Sequence, residues 1–295
     1  TCADRESLLG EKVFKPVQVY DLPEYPEMKL ACPPVLDVID YCFREDFTHI
    51  HSATPGPVGL AGMLVAKLLN RPFYTTYHTA LPQYATHITG DQSLESFIWI
   101  YLRWFYNQAD VVLTPSQAFR DELVFNGIAP HKVRVMPHGV DTERFTPRDW
   151  SRNGSTYKLL YVGRVSREKN LDVLAEALRS MGRDDVKLTI VGDGPYRAEL
   201  MQHMADLNVD FPGYLEGDSL VQAYRDADLF VFPSTTDTFG CVILEAHACA
   251  VPTIVTDVGG PRDIVVPGEP GLVVPARDVA ALRGGIESLL HRERL

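Results

Sequence analysis

The chain contains two runs of short apolar segments that alternate with stretches of helical periodicity, separated by a segment without periodicity. The first run predicts strands at 48–52, 72–77, 110–114 and 132–136. The second predicts strands at 158–162, 186–191, 209–214, 229–232, 252–256 and 271–274. Apolar strands that alternate with helices form parallel sheets covered by those helices. The pattern therefore predicts two Rossmann-like α/β domains, which we expect to face one another across a cleft.

Helical periodicity lies between these strands. The predicted helices span 34–43, 55–69, 94–108, 116–125, 170–180, 195–207, 218–226, 240–249 and 277–291. Before them, a strand is predicted at 15–20 and a proline-rich loop at 22–26. Turn residues dominate 137–150, which is typical of an interdomain linker. The predicted domains are residues 1–143 and 144–295.

Charge, hydropathy and cysteine content argue against several classes of function. The formal net charge of −11 argues against a nucleic-acid partner, because such proteins usually carry a basic face. No signal peptide or apolar run of membrane-spanning length is evident. The five cysteines are odd in number, lack metal-site spacing and mostly lie in apolar runs, so we interpret them as reduced thiols of a cytoplasmic protein: Cys2, Cys32, Cys42, Cys241 and Cys249.

A basic loop follows the first strand of the second run. Gly163 at the end of that strand allows a tight turn and a close approach of backbone to a ligand. Arg164 and Lys169 lie on the loop before the next helix, a suitable place to hold a diphosphate. The alternative is an exposed basic loop without a ligand.

A second glycine loop follows the next strand, in the sequence Gly192-Asp193-Gly194-Pro195. It resembles a dinucleotide-binding fingerprint, but Arg197 stands where the third glycine belongs. An NAD site is therefore weakly supported, although close backbone packing near a nucleotide fits Gly192 and Gly194.

Two acidic residues lie near the start of the helix predicted at 240–249. Asp237 falls on the loop before this helix and Glu245 on its second turn, eight positions later. Both carboxylates can then face one ligand over the helix N-terminus, where free N–H groups favour a phosphate. The alternative is a loop acid favoured by the helix dipole and an exposed helical glutamate.

The first run offers weaker candidates. His78 closes a strand, and parallel sheets place ligands at the carboxyl ends of strands. His49 and His51 lie on one face of another strand, and without further ligands we favour packing or acceptor-side polarity over a metal site. The helix at 94–108 is rich in aromatic residues, which favours core packing and leaves an acceptor groove or a membrane-facing surface as the alternative.

Together these segments resemble retaining glycosyltransferases of the GT-B fold, specifically family 4, over about residues 48–280. The most specific parts are the loop at 161–170, Gly192-Asp193-Gly194-Pro195, and the two acids with Phe239-Gly240 and Val258-Gly259-Gly260. The linker sequence Pro137-His138-Gly139-Val140-Asp141 is similar to that family's hinge, with His138 where asparagine is more usual. Residues 51–84 resemble the branch that glycosylates lipids or lipid-like acceptors.

The resemblance implies roles for individual residues. Arg164 and Lys169 would contact the diphosphate, Glu245 the ribose hydroxyls, and His78 the donor sugar. The sugar and phosphates would also be contacted by Asp237 and by the backbone of Phe239, Gly240 and Cys241. Tyr214 would border the base. The implied donor is a UDP-linked nucleotide sugar, which is a substrate; no cofactor and no metal are implied.

The chain also departs from the family pattern. The family usually has glutamate at the position of Asp237, whose shorter side chain still supplies a carboxylate. Compared with that family, the chain starts after the first strand and its glycine-rich loop and stops before the final crossover helices, so we expect an incomplete N-terminal domain. A cytoplasmic enzyme with a lipid or saccharide acceptor is implied, and peripheral contact of the N-terminal domain with the inner membrane surface stays open.

Three hypotheses follow. The first is a metal-independent retaining glycosyltransferase. The second is another enzyme of the same architecture, a nucleotide-sugar epimerase or a phosphorylase. The third is a non-catalytic nucleotide-binding module.

Overall fold

The computed structural model describes residues 11–22, 25–83, 85, 92–147, 156–266 and 271–291. Internal packing divides the chain into two compact units, Thr1–Met136 and Pro137–Leu295. The predicted domain boundary between residues 143 and 144 stays a prediction. Both units have the predicted α/β character.

The first unit contains a four-stranded parallel sheet. Its strands are β3 (Ile50–Ser52), β4 (Phe73–Thr76), β5 (Val111–Thr114) and β6 (Val133–Val135), in that spatial order. The helices are α1 (Val35–Arg44), α2 (Pro57–Leu68), α3 (Gln92–Asn107) and α4 (Gln117–Phe125). The predicted cap of α4 is confirmed, since Ser116 Oγ accepts a hydrogen bond from the backbone N–H of Phe119 at 3.3 Å.

The prediction for the N-terminal segment is partly wrong. Residues 25–32, which include part of the predicted proline-rich loop, form strand β2 (Tyr25–Cys32), antiparallel to β1 (Gln18–Leu22). Residues 23 and 24 lie outside the described part of the chain. A proline is tolerated here because both strands of a two-stranded ribbon are edge strands, where a missing N–H is least costly.

The second unit contains a six-stranded parallel sheet. Its strands are β7 (Tyr157–Val162), β8 (Val186–Val191), β9 (Val209–Gly213), β10 (Leu229–Phe232), β11 (Thr253–Thr256) and β12 (Gly271–Val274). Their spatial order is β12-β11-β10-β7-β8-β9. The chain builds outward from β7 to one edge, then returns to the other side of β7. This is the strand order of a doubly wound dinucleotide-binding fold.

The helices of this unit are α5 (Leu171–Met181), α6 (Arg197–His203), α7 (Gly217–Asp226), α8 (Cys241–Ala248) and α9 (Val279–Leu290). Strands β10 and β11 are buried at every position, as expected for central strands of a sheet covered on both faces. Helix α6 is shorter than predicted, because it begins at Arg197 and residues 204–206 form a turn.

The segment predicted as a linker, 137–150, has irregular structure over its described residues, 137–147. Its Phe145 side chain is buried in the core of the second unit. Sequence periodicity does not predict this burial of Phe145, because one apolar residue among turn residues produces no repeat.

Candidate functional site

The predicted residues of the second unit gather beyond the carboxyl ends of its strands. Gly163, Arg164 and Lys169 follow β7, Gly192 and Gly194 follow β8, Tyr214 follows β9, and Asp237, Phe239, Gly240, Cys241 and Glu245 follow β10. Strands β7 and β10 are neighbours at the point where the strand order reverses. In open α/β sheets the crevice for a ligand opens at this point.

The two glycine loops are packed backbone against backbone. Gly192 has φ of +129°, and a Cβ there would lie 2.0 Å from the carbonyl oxygen of Gly163. A Cβ at Gly194 would lie 2.3 Å from the carbonyl oxygen of Val165. Both glycines are therefore required by the contact between the two loops, whatever ligand lies above them.

An ion pair joins the basic loop to the acidic loop. Lys169 Nζ lies 2.8 Å from Asp237 Oδ2, and the two side chains are 6% and 24% exposed. Beside the pair, Asn170 adopts a left-handed conformation with φ of +54° and donates from Nδ2 to Thr235 Oγ1 at 3.1 Å. The loops after β7 and β10 are thus fastened together, and they carry opposite charges at the switch point.

The acidic loop is also held from the side of β11. The backbone N–H of Gly260 donates to the carbonyl oxygen of Asp237 at 2.9 Å. A Cβ on Gly260 would lie 1.9 Å from the carbonyl oxygen of Thr238, so only glycine fits. The glycine pair near residue 260 therefore supports the loop that presents the Asp237 carboxylate.

Helix α8 starts directly after this loop. Gly240 precedes the helix with φ of +95°, and Phe239 is buried with its ring edge-on to His138 at 5.4 Å. The amides of Cys241 and Val242 have no acceptor within the helix, as at every helix start, whereas the amide of Ile243 donates to the carbonyl oxygen of Gly240 at 2.9 Å. Burial, followed by the negative charge of Glu245, raises the pKa of the Cys241 thiol.

Glu245 has a partner that the sequence did not reveal. The hydroxyl of Tyr224, on α7, donates to Glu245 Oε2 at 2.7 Å. Tyr224 is fully buried, and its burial together with the nearby Glu245 charge raises its pKa far above the usual range. A tyrosine in an amphipathic helix carries no signal that distinguishes this role from core packing.

Arg164 is fixed through its backbone, and Tyr214 lies on the surface. The Tyr161 hydroxyl donates to the carbonyl oxygen of Arg164 at 2.8 Å, which fixes the backbone of the arginine. Tyr214 is 72% exposed, and within the described residues no hydrogen bond joins it to the other candidates. Its assignment to the base stays a prediction.

The first unit contains the remaining candidates. His78 follows β4 and is half-buried, and its reach over a donor sugar stays a prediction. His51 Nε2 lies 2.8 Å from Thr76 Oγ1, and the His49 ring lies 5.5 Å from that of Tyr74, so both histidines have side-chain neighbours in the sheet. No group of three or more side chains able to hold a metal ion occurs among the described residues.

The aromatic helix α3 has two faces. Trp99, Phe105 and Tyr106 are buried, which confirms core packing for that face. Phe97 and Trp104 are 68% and 49% exposed. No helix in the described part of the chain is long and apolar enough to cross a membrane.

The chain contains a doubly wound parallel sheet, with charged loops at its switch point, and a second parallel α/β unit, and both units are expected of the GT-B class that the sequence resembles. The chain belongs to the family of group 1 glycosyl transferases, whose family model matches residues 143–295. A model described as Glycosyltransferase Family 4 matches residues 1–144.

Curated relatives agree with this family. The chain is 32% identical over 262 residues to the sulfoquinovosyl transferase SQD2 of Arabidopsis thaliana, covering 84% of this chain and 50% of that protein. It is 34% identical over 254 residues to a GDP-mannose-dependent alpha-mannosyltransferase of Mycobacterium tuberculosis, covering 83% and 65%. The chain thus spans between half and two thirds of these curated relatives.

Among solved structures, Anabaena Alr3699/HepE in complex with UDP and glucose has a similar fold, with a TM-score of 0.74 at 21% identity. The match covers 95% of this chain and 76% of that one. The predicted GT-B fold is therefore confirmed.

Proposed function

We propose that this protein is a retaining glycosyltransferase that moves a sugar from a nucleoside-diphosphate sugar, UDP-linked, to a lipid or saccharide acceptor without a metal ion. The observation that carries the proposal is the ion pair between Lys169 and Asp237 at the switch point of the second sheet. It brings a cation suited to a diphosphate next to a carboxylate suited to sugar hydroxyls.

The proposed reaction follows from the charges at this site. Breaking the bond between the sugar C1 and the diphosphate oxygen builds negative charge on the leaving group and positive charge on the sugar ring. Arg164, Lys169 and the first amides of α8 stabilise the leaving diphosphate. The acceptor oxygen bonds to C1 on the face that the diphosphate leaves, and its proton passes to a diphosphate oxygen.

The carboxylates act as hydroxyl binders in this scheme. Asp237 accepts from the sugar, and Glu245 accepts from the ribose. Because the cations and the helix N-terminus already supply positive charge to the diphosphate, a metal ion is not required for leaving-group stabilisation. Removing one charged donor should cost about 2.7–4 kcal/mol of transition-state stabilisation, by analogy with an oxyanion-hole donor.

The proposed donor and acceptor draw on the relatives and on the exposed surface of α3. A relative is named as GDP-mannose-dependent, whereas the neighbour of similar fold contains UDP, so both nucleotides belong in the test. The exposed Phe97 and Trp104 on α3 support a peripheral lipid contact of the first unit at the cytoplasmic membrane surface. They suit a lipid acceptor, while a saccharide acceptor remains the alternative.

Calorimetry tests the donor site directly. Titration with UDP, GDP and ADP, each with and without Mg²⁺, should show UDP binding most tightly and equally well without the metal. Lys169→Met should weaken UDP binding about 10- to 100-fold, the range expected for losing one hydrogen bond to a charged group. Lys187→Met is the matched control, because Lys187 also pairs with an aspartate in this unit, Asp210 at 2.5 Å, and is no part of the proposed site.

Transfer itself requires a product assay. Donor sugars are screened by release of nucleoside diphosphate, and the anomeric configuration of the product is read by NMR. Retention of the donor configuration, and activity in the presence of EDTA, are the expected results. An inverted product would exclude the retaining mechanism, and absence of binding to all three nucleotides would exclude the donor site.

A further inference from the structure

The hydroxyl of Tyr224 is fixed in place by its surroundings. The ring is fully buried and contacts Phe145 edge-on at 5.8 Å and Phe230 at 5.8 Å. The next residue, Arg225, donates from Nε to the carbonyl oxygen of Thr146 at 2.8 Å, which ties the end of α7 to the segment that carries Phe145. The ring is therefore held between aromatic neighbours and points its hydroxyl at one atom, Glu245 Oε2.

Glu245 is held on one side only. Its Oε2 accepts the Tyr224 hydroxyl at 2.7 Å, and no other side-chain hydrogen bond to this carboxylate occurs among the described residues. Cys241, the first residue of α8, and Cys249, the residue directly after the helix, lie four positions before and after Glu245, so they share its helix face. Thiols are weak donors. Tyr224 is thus the strong donor that determines how this carboxylate is oriented.

The alternative explanation is that the hydrogen bond merely satisfies a buried hydroxyl. A core tyrosine needs a partner, and any nearby acceptor would serve that purpose. The backbone could supply such an acceptor. The partner chosen here is instead the half-buried carboxylate that the proposed function assigns to the ribose, which gives the bond a consequence beyond stability.

We propose that Tyr224 is a positioning residue for the nucleotide: its hydroxyl holds one carboxylate oxygen of Glu245, so that the other oxygen is presented to the ribose hydroxyls. This inference rests on the proposed donor site. Without the hydroxyl, the carboxylate can rotate about its side-chain torsions and loses the orientation needed for binding. The effect is confined to ligands with ribose hydroxyls, because Tyr224 acts only through Glu245.

The test compares UDP with its 2′,3′-dideoxy analogue by calorimetry on the 295-residue chain. The wild-type protein should prefer UDP. Tyr224→Phe keeps the ring and removes only the donor, and it should weaken UDP binding about tenfold, the size of one net hydrogen bond. Binding of the dideoxy analogue should be unchanged. Replacing Tyr224 by 4-aminophenylalanine, which restores an N–H donor at the same place, should recover most of the preference for UDP.

A matched control removes a similar bond elsewhere. The buried Tyr196 donates its hydroxyl to Asp172 Oδ1 in the same unit, so Tyr196→Phe deletes another tyrosine-to-carboxylate bond. That variant should keep the wild-type ratio of UDP to dideoxy-UDP affinity. Combining Tyr224→Phe with Glu245→Ala should give the same ratio as Glu245→Ala alone, because the tyrosine has no further route to the ribose.

The outcomes separate the two claims. If the wild-type protein binds none of UDP, GDP and ADP, the proposed donor site is wrong and this inference is lost with it. If it binds GDP rather than UDP, the same comparison is made with GDP and its 2′,3′-dideoxy analogue. If the wild-type protein prefers UDP but Tyr224→Phe weakens both ligands equally, or neither, Tyr224 is a core residue only. The same conclusion follows if the folded 4-aminophenylalanine protein behaves like Glu245→Ala.

Discussion

Replacing Asp237 by asparagine should destabilise the protein more than replacing its partner Lys169 by methionine. The Lys169 side chain is 6% exposed, whereas that of Asp237 is 24% exposed. In Asp237→Asn the ammonium stays buried while the carboxylate 2.8 Å away becomes neutral. In Lys169→Met the aspartate still reaches water, and the apolar chain fills the space of the lysine.

The magnitude follows from this difference in exposure. Removing one partner of a fully buried pair costs about 3–5 kcal/mol, and an apolar replacement of the buried partner is often nearly neutral. Because Asp237 is a quarter exposed, we expect about 2–3 kcal/mol for Asp237→Asn and about 0–1 kcal/mol for Lys169→Met. At about 2–4 °C per kcal/mol, the asparagine variant should melt about 4–12 °C lower than the wild-type protein.

Thermal melts with and without UDP provide the assay. The UDP diphosphate brings negative charge back to Lys169, so UDP should raise the melting temperature of Asp237→Asn more than that of the wild-type protein. UDP should have little effect on Lys169→Met. The electrostatic reasoning is refuted if Lys169→Met is the less stable variant, or if UDP shifts Asp237→Asn and the wild-type protein equally.

Three further predictions concern other parts of the chain. Gly192→Ala places a Cβ 2.0 Å from the carbonyl oxygen of Gly163 and should lower both stability and UDP affinity, whereas Gly182→Ala, with φ of +59° and no atom within 4 Å of the added Cβ, should cost only about 1 kcal/mol in urea unfolding. Burial is the largest cause of a raised pKa at Glu122, so the charged carboxylate opposes folding at any pH above the ordinary pKa of a glutamate. Glu122→Gln should therefore raise the melting temperature at pH 7 but not at acidic pH. Ser116→Ala removes the cap of α4 and should cost about 1 kcal/mol in urea unfolding, with calorimetry showing unchanged UDP binding.

The sequence predicts the elements of the second unit well for a physical reason. Strands β10 and β11 are buried at every position, so they appear as unbroken apolar runs between helical segments. Strand β2 was missed because an antiparallel ribbon on the outside of a unit needs no apolar run, and because its proline is typical of a loop. Pattern reading is reliable where burial dictates the residue type and weaker where hydrogen bonds alone define the strand.

The candidate site shows a similar division. Gly163, Arg164 and Lys169 were predicted from the local order of strand, glycine and basic loop, which is a feature of neighbouring residues. Tyr224 was missed because its function depends on a contact with Glu245, 21 positions away and on another helix. The repeat of an amphipathic helix identifies a buried tyrosine but not the atom to which its hydroxyl points.

The order of the strands in the sheet brings the loops that carry Lys169 and Asp237 together. Lys169 and Asp237 are 68 positions apart, yet each follows the carboxyl end of its own strand by a few residues. In a parallel sheet all these ends lie at one edge, so two such loops meet whenever their strands are neighbours. Hydrophobic periodicity predicts the strands, but it does not predict that β10 lies next to β7 in the sheet. If β10 were instead the outermost strand beyond β9, Lys169 and Asp237 would be separated by several strands. The pairing of lysine with aspartate therefore depends on the reversal of strand order. A charge-swapped protein, Lys169→Asp with Asp237→Lys, should melt at a higher temperature than the Lys169→Asp single variant, but calorimetry should show that UDP binding is not recovered.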